Sequence, residues 1–243
     1  MEIVGLKRDS SEFAVARRRM VEEQLIARGI RDPRVLDVMG RLPRHLFVER
    51  GLQDQAYGDY PVGIGEGQTI SQPYIVALMT EALQLTGTEA VLEIGTGCGY
   101  QTAVLAELSR QVYTIERIKN LAFNARRTLK ELAYRNVVMR VGDGTNGWPD
   151  AAPQAGSAPF DGILVAAGSP ELPRPLFNQL KETGRLVIPI GNEDEQYLAR
   201  VTRRNSEPVV ENLGACRFVK LVGKFGWGKQ REAGDRFRKR SLV

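Results

Sequence analysis

Two cysteines, Cys98 and Cys216, are the whole thiol content of this 243-residue chain, so neither a disulfide framework nor a cysteine-rich zinc site is available. Thiols this sparse favour a reducing cytoplasm. Histidine is scarcer: His45 stands alone, which rules out a centre built from several histidines, and no metal is expected. No uninterrupted apolar run approaches the roughly 20 residues that a spanning helix needs. Residues 1–13 lack the basic-then-apolar layout of a secretory leader, so a cytoplasmic protein without membrane attachment is expected. No internal repeat or long low-complexity stretch divides the chain.

What is present is ordinary for a globular protein: 42% hydrophobic and 26% charged residues, enough to bury one large core. The net charge of +5 could suggest nucleic acid, but its distribution argues otherwise. Residues 229–243 carry six basic side chains against two acidic ones, leaving 28 of the 34 basic and 27 of the 29 acidic residues elsewhere. A near-neutral body with a basic tail is not the footprint of a nucleic-acid groove, and the tail reads as a solvated, frayed terminus.

Apolar spacing predicts an amphipathic helix over 12–28 ending at Gly29, and a short helix from Pro33 to Met39. Gly51 to Gly67 reads as a long loop of the kind that is usually functional or disordered. From Ile75 the texture becomes strand–helix alternation. A helix carrying Ile75, Met79, Ala82 and Leu83 is followed by a strand over 90–94, a helix over 101–108 and a strand over 111–115. A basic helix over 119–132 and strands over 137–141, 162–166 and 185–190 complete the series, the last after a helix over 175–181 and a turn at Gly184. Such alternation implies right-handed crossovers and a mostly parallel, doubly wound sheet. Segments 197–203 and 215–222 read as later strands that close it antiparallel.

The strongest local signal is Val91-Leu92-Glu93-Ile94-Gly95-Thr96-Gly97-Cys98-Gly99-Tyr100. A buried strand runs into Gly95, Gly97 and Gly99, which let the backbone turn sharply and approach a ligand before a helix opens. The helix N-terminus favours an anionic group, either a pyrophosphate or the carboxylate of an amino-acid-like cofactor. The spacing is G-x-G-x-G, whereas the dinucleotide fingerprint needs G-x-G-x-x-G. Glu116, ending the next strand, sits where a ribose diol is gripped. Glu93 is placed to offer its carboxylate to a cofactor ammonium. Val141-Gly142-Asp143-Gly144 could set an acceptor, Asp143, beside an adenine amino group, or could be a plain Asp-Gly turn.

Together with Pro159-Phe160-Asp161-Gly162-Ile163-Leu164-Val165 and Leu180-Lys181-Glu182-Thr183-Gly184-Arg185-Leu186-Val187, this ordered series resembles class I S-adenosylmethionine methyltransferases over about 91–190. Just upstream, Gly63-Ile64-Gly65-Glu66-Gly67-Gln68-Thr69-Ile70-Ser71-Gln72-Pro73 resembles the signature of the protein-L-isoaspartate O-methyltransferases. Arg41-Leu42-Pro43-Arg44-His45-Leu46-Phe47-Val48 is similar to that family's N-terminal region, and the likeness runs from about Val21 to Val222. It implies an α/β fold with a doubly wound, Rossmann-like, mostly parallel sheet and with N-terminal helical and C-terminal strand additions. Residues 1–74 would form part of the active site, 75–228 the cofactor-binding core and 229–243 the tail.

The resemblance further implies that Ser71 lies at the active site, near donor methyl and substrate carboxylate, and that Ile70 and Ser71 join Glu93, Gly95, Gly97, Gly99, Glu116, Asp143 and Gly144 around S-adenosyl-L-methionine, whose product is S-adenosyl-L-homocysteine. It makes Gly63, Gly65 and Gly67 part of a flap. The implied substrate is an L-isoaspartyl residue in a damaged protein; its methyl ester is displaced by a backbone nitrogen to give a succinimide, and hydrolysis returns some aspartate. An enzyme acting as a monomer, without specific nucleic acid or membrane partners, is the expectation.

The chemistry agrees with what the chain lacks. A carboxylate is ionised at neutral pH and attacks a sulfonium methyl without base or metal. Ser71 then supplies a positioning hydrogen bond. Its local alternative is an N-cap ahead of Pro73. A Ser71–His45 hydrolase pair lacks the G-x-S-x-G context, and His45 reads as structural. Three features depart from the family pattern: extra length at 151–158, Lys220 where proline is common, and the tail. Transfer to another acceptor, a non-catalytic adenosyl-ligand sensor and a nicotinamide oxidoreductase are the competing readings.

Overall fold

The computed structural model describes residues 11–149 and 159–228. The 151–158 insertion and the 229–243 tail therefore lie outside the described residues.

Helix α1 (Ser11–Arg19) runs straight into wider π-helical turns over Met20–Ile26, and the chain leaves them at Gly29, whose φ is +99°. Met20 and Leu25 are buried there, Val21 is half-buried and Ile26 is exposed, so the apolar spacing marks the helix but only part of its buried face. Helix α2 (Pro33–Arg41) begins with Pro33 in its first turn and Asp32 as cap, accepting from the Arg34 amide at 2.9 Å. After a 3-10 turn at Arg44–Phe47, the segment read as loop, 51–67, holds most of a second such turn at Arg50–Gln55 and the first arm, β1 (Val62–Gly63), of a small hairpin whose second arm, β2 (Thr69–Ile70), follows it.

Beyond it come α3 (Pro73–Leu83), β3 (Ala90–Ile94), α4 (Tyr100–Leu108), β4 (Gln111–Glu116), α5 (Lys119–Glu131), β5 (Val137–Val141), β6 (Phe160–Val165), α6 (Arg174–Asn178), β7 (Leu180–Gly191), β8 (Gln196–Arg204) and β9 (Glu207–Cys216). The seven-stranded sheet has the order β5-β4-β3-β6-β7-β8-β9. Strands β3 to β7 pair in parallel, and β8 and β9 are antiparallel, as the alternation implied.

Alternate residues of the central strands supply two cores on opposite faces. Val91, Leu164 and Val187 join the core under α1 to α5, while Leu92, Ile163, Leu186 and Ile188 join the one that contains Trp148, Phe160 and α6. Burial on both faces is why these strands read as short, mostly apolar segments.

Two expectations are corrected. The helix read over 175–181 is only Arg174–Asn178. Leu180 already pairs with Phe160 and Arg185 with Gly162, so residues 181–184 bulge outward and the Gly184 turn lies inside a strand. Lys181 faces Asp161 at 2.8 Å in this bulge. The strand read over 215–222 is instead β9, ending at Cys216. It follows a two-residue hairpin at Asn205 and Ser206, whose φ values of +53° and +65° fit a type I′ turn. As an edge strand, β9 is exposed along most of its length, so no burial alternation marks it.

Candidate active site

The C-terminal ends of β3, β4 and β6 meet where the strand order reverses between β3 and β6, the place where open α/β sheets bind ligands. A cavity of about 900 Å³, counting its open mouth, lies there. Its walls include Ile70, Ser71, Gly95, Gly97, Glu116 and Gly144. Six of the residues expected around a cofactor are thereby brought together.

The bend from β3 into α4 depends on its glycines. Gly95, Gly97 and Gly99 have φ of +92°, +55° and +92°, where a side chain is strained. A Cβ at Gly97 would also stand 3.3 Å from Ile64 Cδ1, which arrives from the β1–β2 hairpin. Gly99 lies outside the cavity wall; a Cβ there would meet Ala125 and Leu129, so this glycine lets α5 pack closely. The Glu116 carboxylate braces the bend, accepting from the Gly97 amide and from the Ile118 amide at 2.9 Å each.

Glu93 and Asp143 take other positions. Glu93 is fully buried behind the bend and does not border the cavity. Its Oε2 accepts from Thr102 Oγ1 at 2.5 Å and Thr114 Oγ1 at 2.6 Å, while Oε1 has no hydrogen-bond partner among the described residues. Burial pushes its pKa up to about 7 against the two threonine bonds, with the nearby Glu116 charge adding to the rise. Asp143 caps the 3-10 turn Gly144–Asn146, accepting from the amide and hydroxyl of Thr145 at 2.9 and 2.7 Å. Its Oδ2 accepts from the Lys224 amide at 2.8 Å. Desolvation raises its pKa, but the bonds from Thr145 and Lys224 outweigh that and hold it below the usual carboxylate range.

Ser71 follows β2 and precedes α3. The cap of α3 is Gln72, without a side-chain cap bond, and Pro73 opens the first turn. The N-cap alternative for Ser71 is therefore not what the fold uses. Its hydroxyl has no hydrogen bond among the described residues, whereas its carbonyl accepts from Arg44 Nη2 at 2.7 Å. Arg44 is wholly buried, also donates from Nε to the Ala56 carbonyl at 2.6 Å, and lies 4.7 Å from the Tyr100 ring centroid. Burial lowers its pKa. The sequence marks this arginine only by its place in the family-like segment 41–48 and assigns it no role.

A second, wider groove of about 1530 Å³, counting open space, runs alongside. It shares Thr69, Ser71, Ala166 and Val219 with the first cavity. Ser71 thus stands on the wall common to the two spaces. His45 borders neither; its Nδ1 is 2.8 Å from the Tyr57 hydroxyl and its ring stacks on Phe13 at 4.0 Å, the structural role expected of it. Burial pushes the Cys98 thiol, in the chamber wall, up to about 11, so it stays neutral. Among the described residues no cluster of three or more metal-ligating side chains occurs, and no helix is long and apolar enough to cross a membrane.

The strap Val219–Val222 closes the chamber, a part of the site that sequence reasoning did not assign to the cofactor. Lys220 lies on it and pairs with Glu193 at 2.7 Å. Tertiary bonds hold the strap: the amides of Gly168 and Leu221 donate to Val219 and Gly168 carbonyls at 2.8 Å, and Trp227 Nε1 donates to the Gly168 carbonyl at 2.9 Å.

A protein-L-isoaspartate O-methyltransferase of Syntrophus aciditrophicus is 58% identical over 218 residues, spanning 88% of this chain and 97% of that protein. A namesake from Geobacter metallireducens is 54% identical over 219 residues, spanning 90% and 99%. A solved protein-L-isoaspartate O-methyltransferase superposes with a TM-score of 0.75 at 29% identity, covering 86% of this chain and 67% of its own. A Plasmodium falciparum structure described as such a methyltransferase, in complex with S-adenosyl-L-homocysteine, gives 0.72 at 27% identity, covering 84% and 96%. The family model described as protein-L-isoaspartate(D-aspartate) O-methyltransferase matches residues 16–226, and the chain belongs to that family.

Proposed function

We propose that this family member methylates the free carboxylate of L-isoaspartyl residues with S-adenosyl-L-methionine as donor, and that Ser71 positions the acceptor against the donor. The observation that carries the reading is Ser71's place on the wall common to chamber and groove. One space suits a small cofactor and the other an extended peptide, and the serine hydroxyl is uncommitted at their junction.

The residues of the chamber fit the donor. S-adenosylmethionine supplies an electrophilic methyl group when bound. Glu116 would hold the ribose hydroxyls, the bend from Gly95 to Cys98 would take the amino-acid moiety, and Gly142 and Gly144 would flank the base. Glu93 acts from behind the bend, through its grip on Thr102 and Thr114. Ile70 and the strap line the chamber and limit its access to water.

An isoaspartyl carboxylate is ionised near neutrality, so the chain has no proton to remove. Its residues align the attacking oxygen and strip its water, which is where rate is gained. Ser71 Oγ–H donates to that carboxylate and fixes its direction. Arg44 fixes Ser71 in turn. The low cysteine content supports action in the cytoplasm.

The test is transfer of labelled methyl to an isoaspartyl peptide, beside its aspartyl twin. Label on the isoaspartyl peptide alone, released by mild alkali as a carboxyl ester should be, is the expected result. Equal or absent labelling defeats the substrate assignment, and alkali-stable label points to another acceptor.

A further inference from the structure

The open groove beside Ser71 is walled mainly by apolar side chains, among them Leu78, Leu198 and Phe218. It contains two arginines, Arg28 and Arg217, and no aspartate or glutamate. Arg28 is committed: it pairs with Asp59 at 3.1 Å and lies 3.7 Å from the Tyr74 ring centroid. Arg217 is exposed and has neither ion pair nor hydrogen bond among the described residues. Its backbone neighbours are nonetheless anchored. The Phe218 amide donates to Gln196 Oε1 at 2.8 Å, and Val219's carbonyl accepts from Gly168 at 2.8 Å.

A free guanidinium on a fixed base, in a channel without carboxylates, is a receptor for one. Its place sets the distance. Val219 borders both chamber and groove, so it marks the reacting end, and Arg217 is two residues away, with the two Cα atoms at most about 7 Å apart in an extended chain. We infer that Arg217 binds an acidic side chain about two residues from the isoaspartyl residue, so that acidic flanking sequence favours a substrate. This rests on the methyltransferase reading above and adds the sequence preference of its peptide groove.

The experiment uses isoaspartyl peptides identical except for Glu or Gln two positions before or after the isoaspartyl residue. Each is measured by methyl transfer, and by anisotropy of a fluorescent copy binding to the enzyme loaded with S-adenosylhomocysteine. For the wild type, one Glu peptide exceeds its Gln twin roughly two- to five-fold in both readouts at low salt, the size expected of an exposed ion pair, and less at high salt. In Arg217→Gln the Glu-to-Gln ratio falls to about one, and Arg217→Lys keeps most of it; as a ratio, it is indifferent to a general loss of activity. An unchanged ratio in Arg217→Gln, or no preference in the wild type, overturns the inference. Charge-dependent binding without any transfer instead defeats the methyltransferase reading and leaves the Arg217 contact standing.

Discussion

Arg44 and Ser71, 27 residues apart, are joined by a hydrogen bond of 2.7 Å from a wholly buried guanidinium to a main-chain carbonyl. With its second bond to Ala56, this arginine ties the N-terminal 3-10 turn to the loop that carries Ser71. Arg44→Met leaves two carbonyls without their donor and should cost about 2–4 kcal/mol of stability, read as a lowered unfolding midpoint. Arg44→Lys keeps the charge but offers a point donor in place of the fork, and should restore only part. Methyl transfer should fall more than cofactor affinity in both variants. Wild-type stability in Arg44→Met would refute the bracing role.

Ser71→Ala removes a hydroxyl that bonds to nothing in the described structure. Folding stability should change by less than about 0.5 kcal/mol. Transfer to the isoaspartyl peptide should fall about 10- to 100-fold through lost alignment. Calorimetry with S-adenosylhomocysteine should show a smaller change in affinity. Full activity in this variant contradicts the positioning role.

Glu93 gives a pH test in the cofactor-free protein. Its pKa rises from 4.5 to about 7 on folding, chiefly by burial. Between those values the native state holds a proton that the unfolded chain has lost, so stability from this group declines as pH rises through that window and levels off above it. Glu93→Gln removes the titration while keeping the shape. Relative to wild type, the variant should gain on the order of 3 kcal/mol between pH 4.5 and 8. Unfolding midpoints whose difference is independent of pH would show that Glu93 is already charged in the folded protein.

Asp143 holds the segment that follows the strap at Lys224, while Thr145 Oγ1 accepts from the Phe225 amide at 3.0 Å. Asp143→Ala should release both residues, raising their amide exchange about tenfold and weakening S-adenosylhomocysteine binding. Because this carboxylate titrates below the usual range in the fold, its contribution is present above about pH 4 and lost on acidification. Unchanged exchange at Lys224 would show that the Gly168 contacts alone hold the strap.

Much of this was legible in advance. The central strands β3, β4 and β6 are apolar on both faces, and the three glycines after β3 announce a bend that only their left-handed conformations allow. Glu116 was readable because it ends the strand beside that bend. Glu93 and Asp143 were readable as acids near the site, but not in their engagements. Thr102 on α4 and Thr114 on β4 enclose one, and Lys224 captures the other across 81 residues. β9 was misplaced because an edge strand facing solvent has no reason to alternate.

The amino-acid order alone determined the α/β alternation, the glycine bend, the family likeness and the serine ahead of α3, since each depends on residues close together in the chain. Only folding decided that Ser71 would border two spaces, that Arg44 would hold it from within the N-terminal region, and that a C-terminal strap would roof the chamber. Those relations join segments far apart in sequence. They are fixed by packing and by the need of buried polar groups to find partners, which no local pattern records.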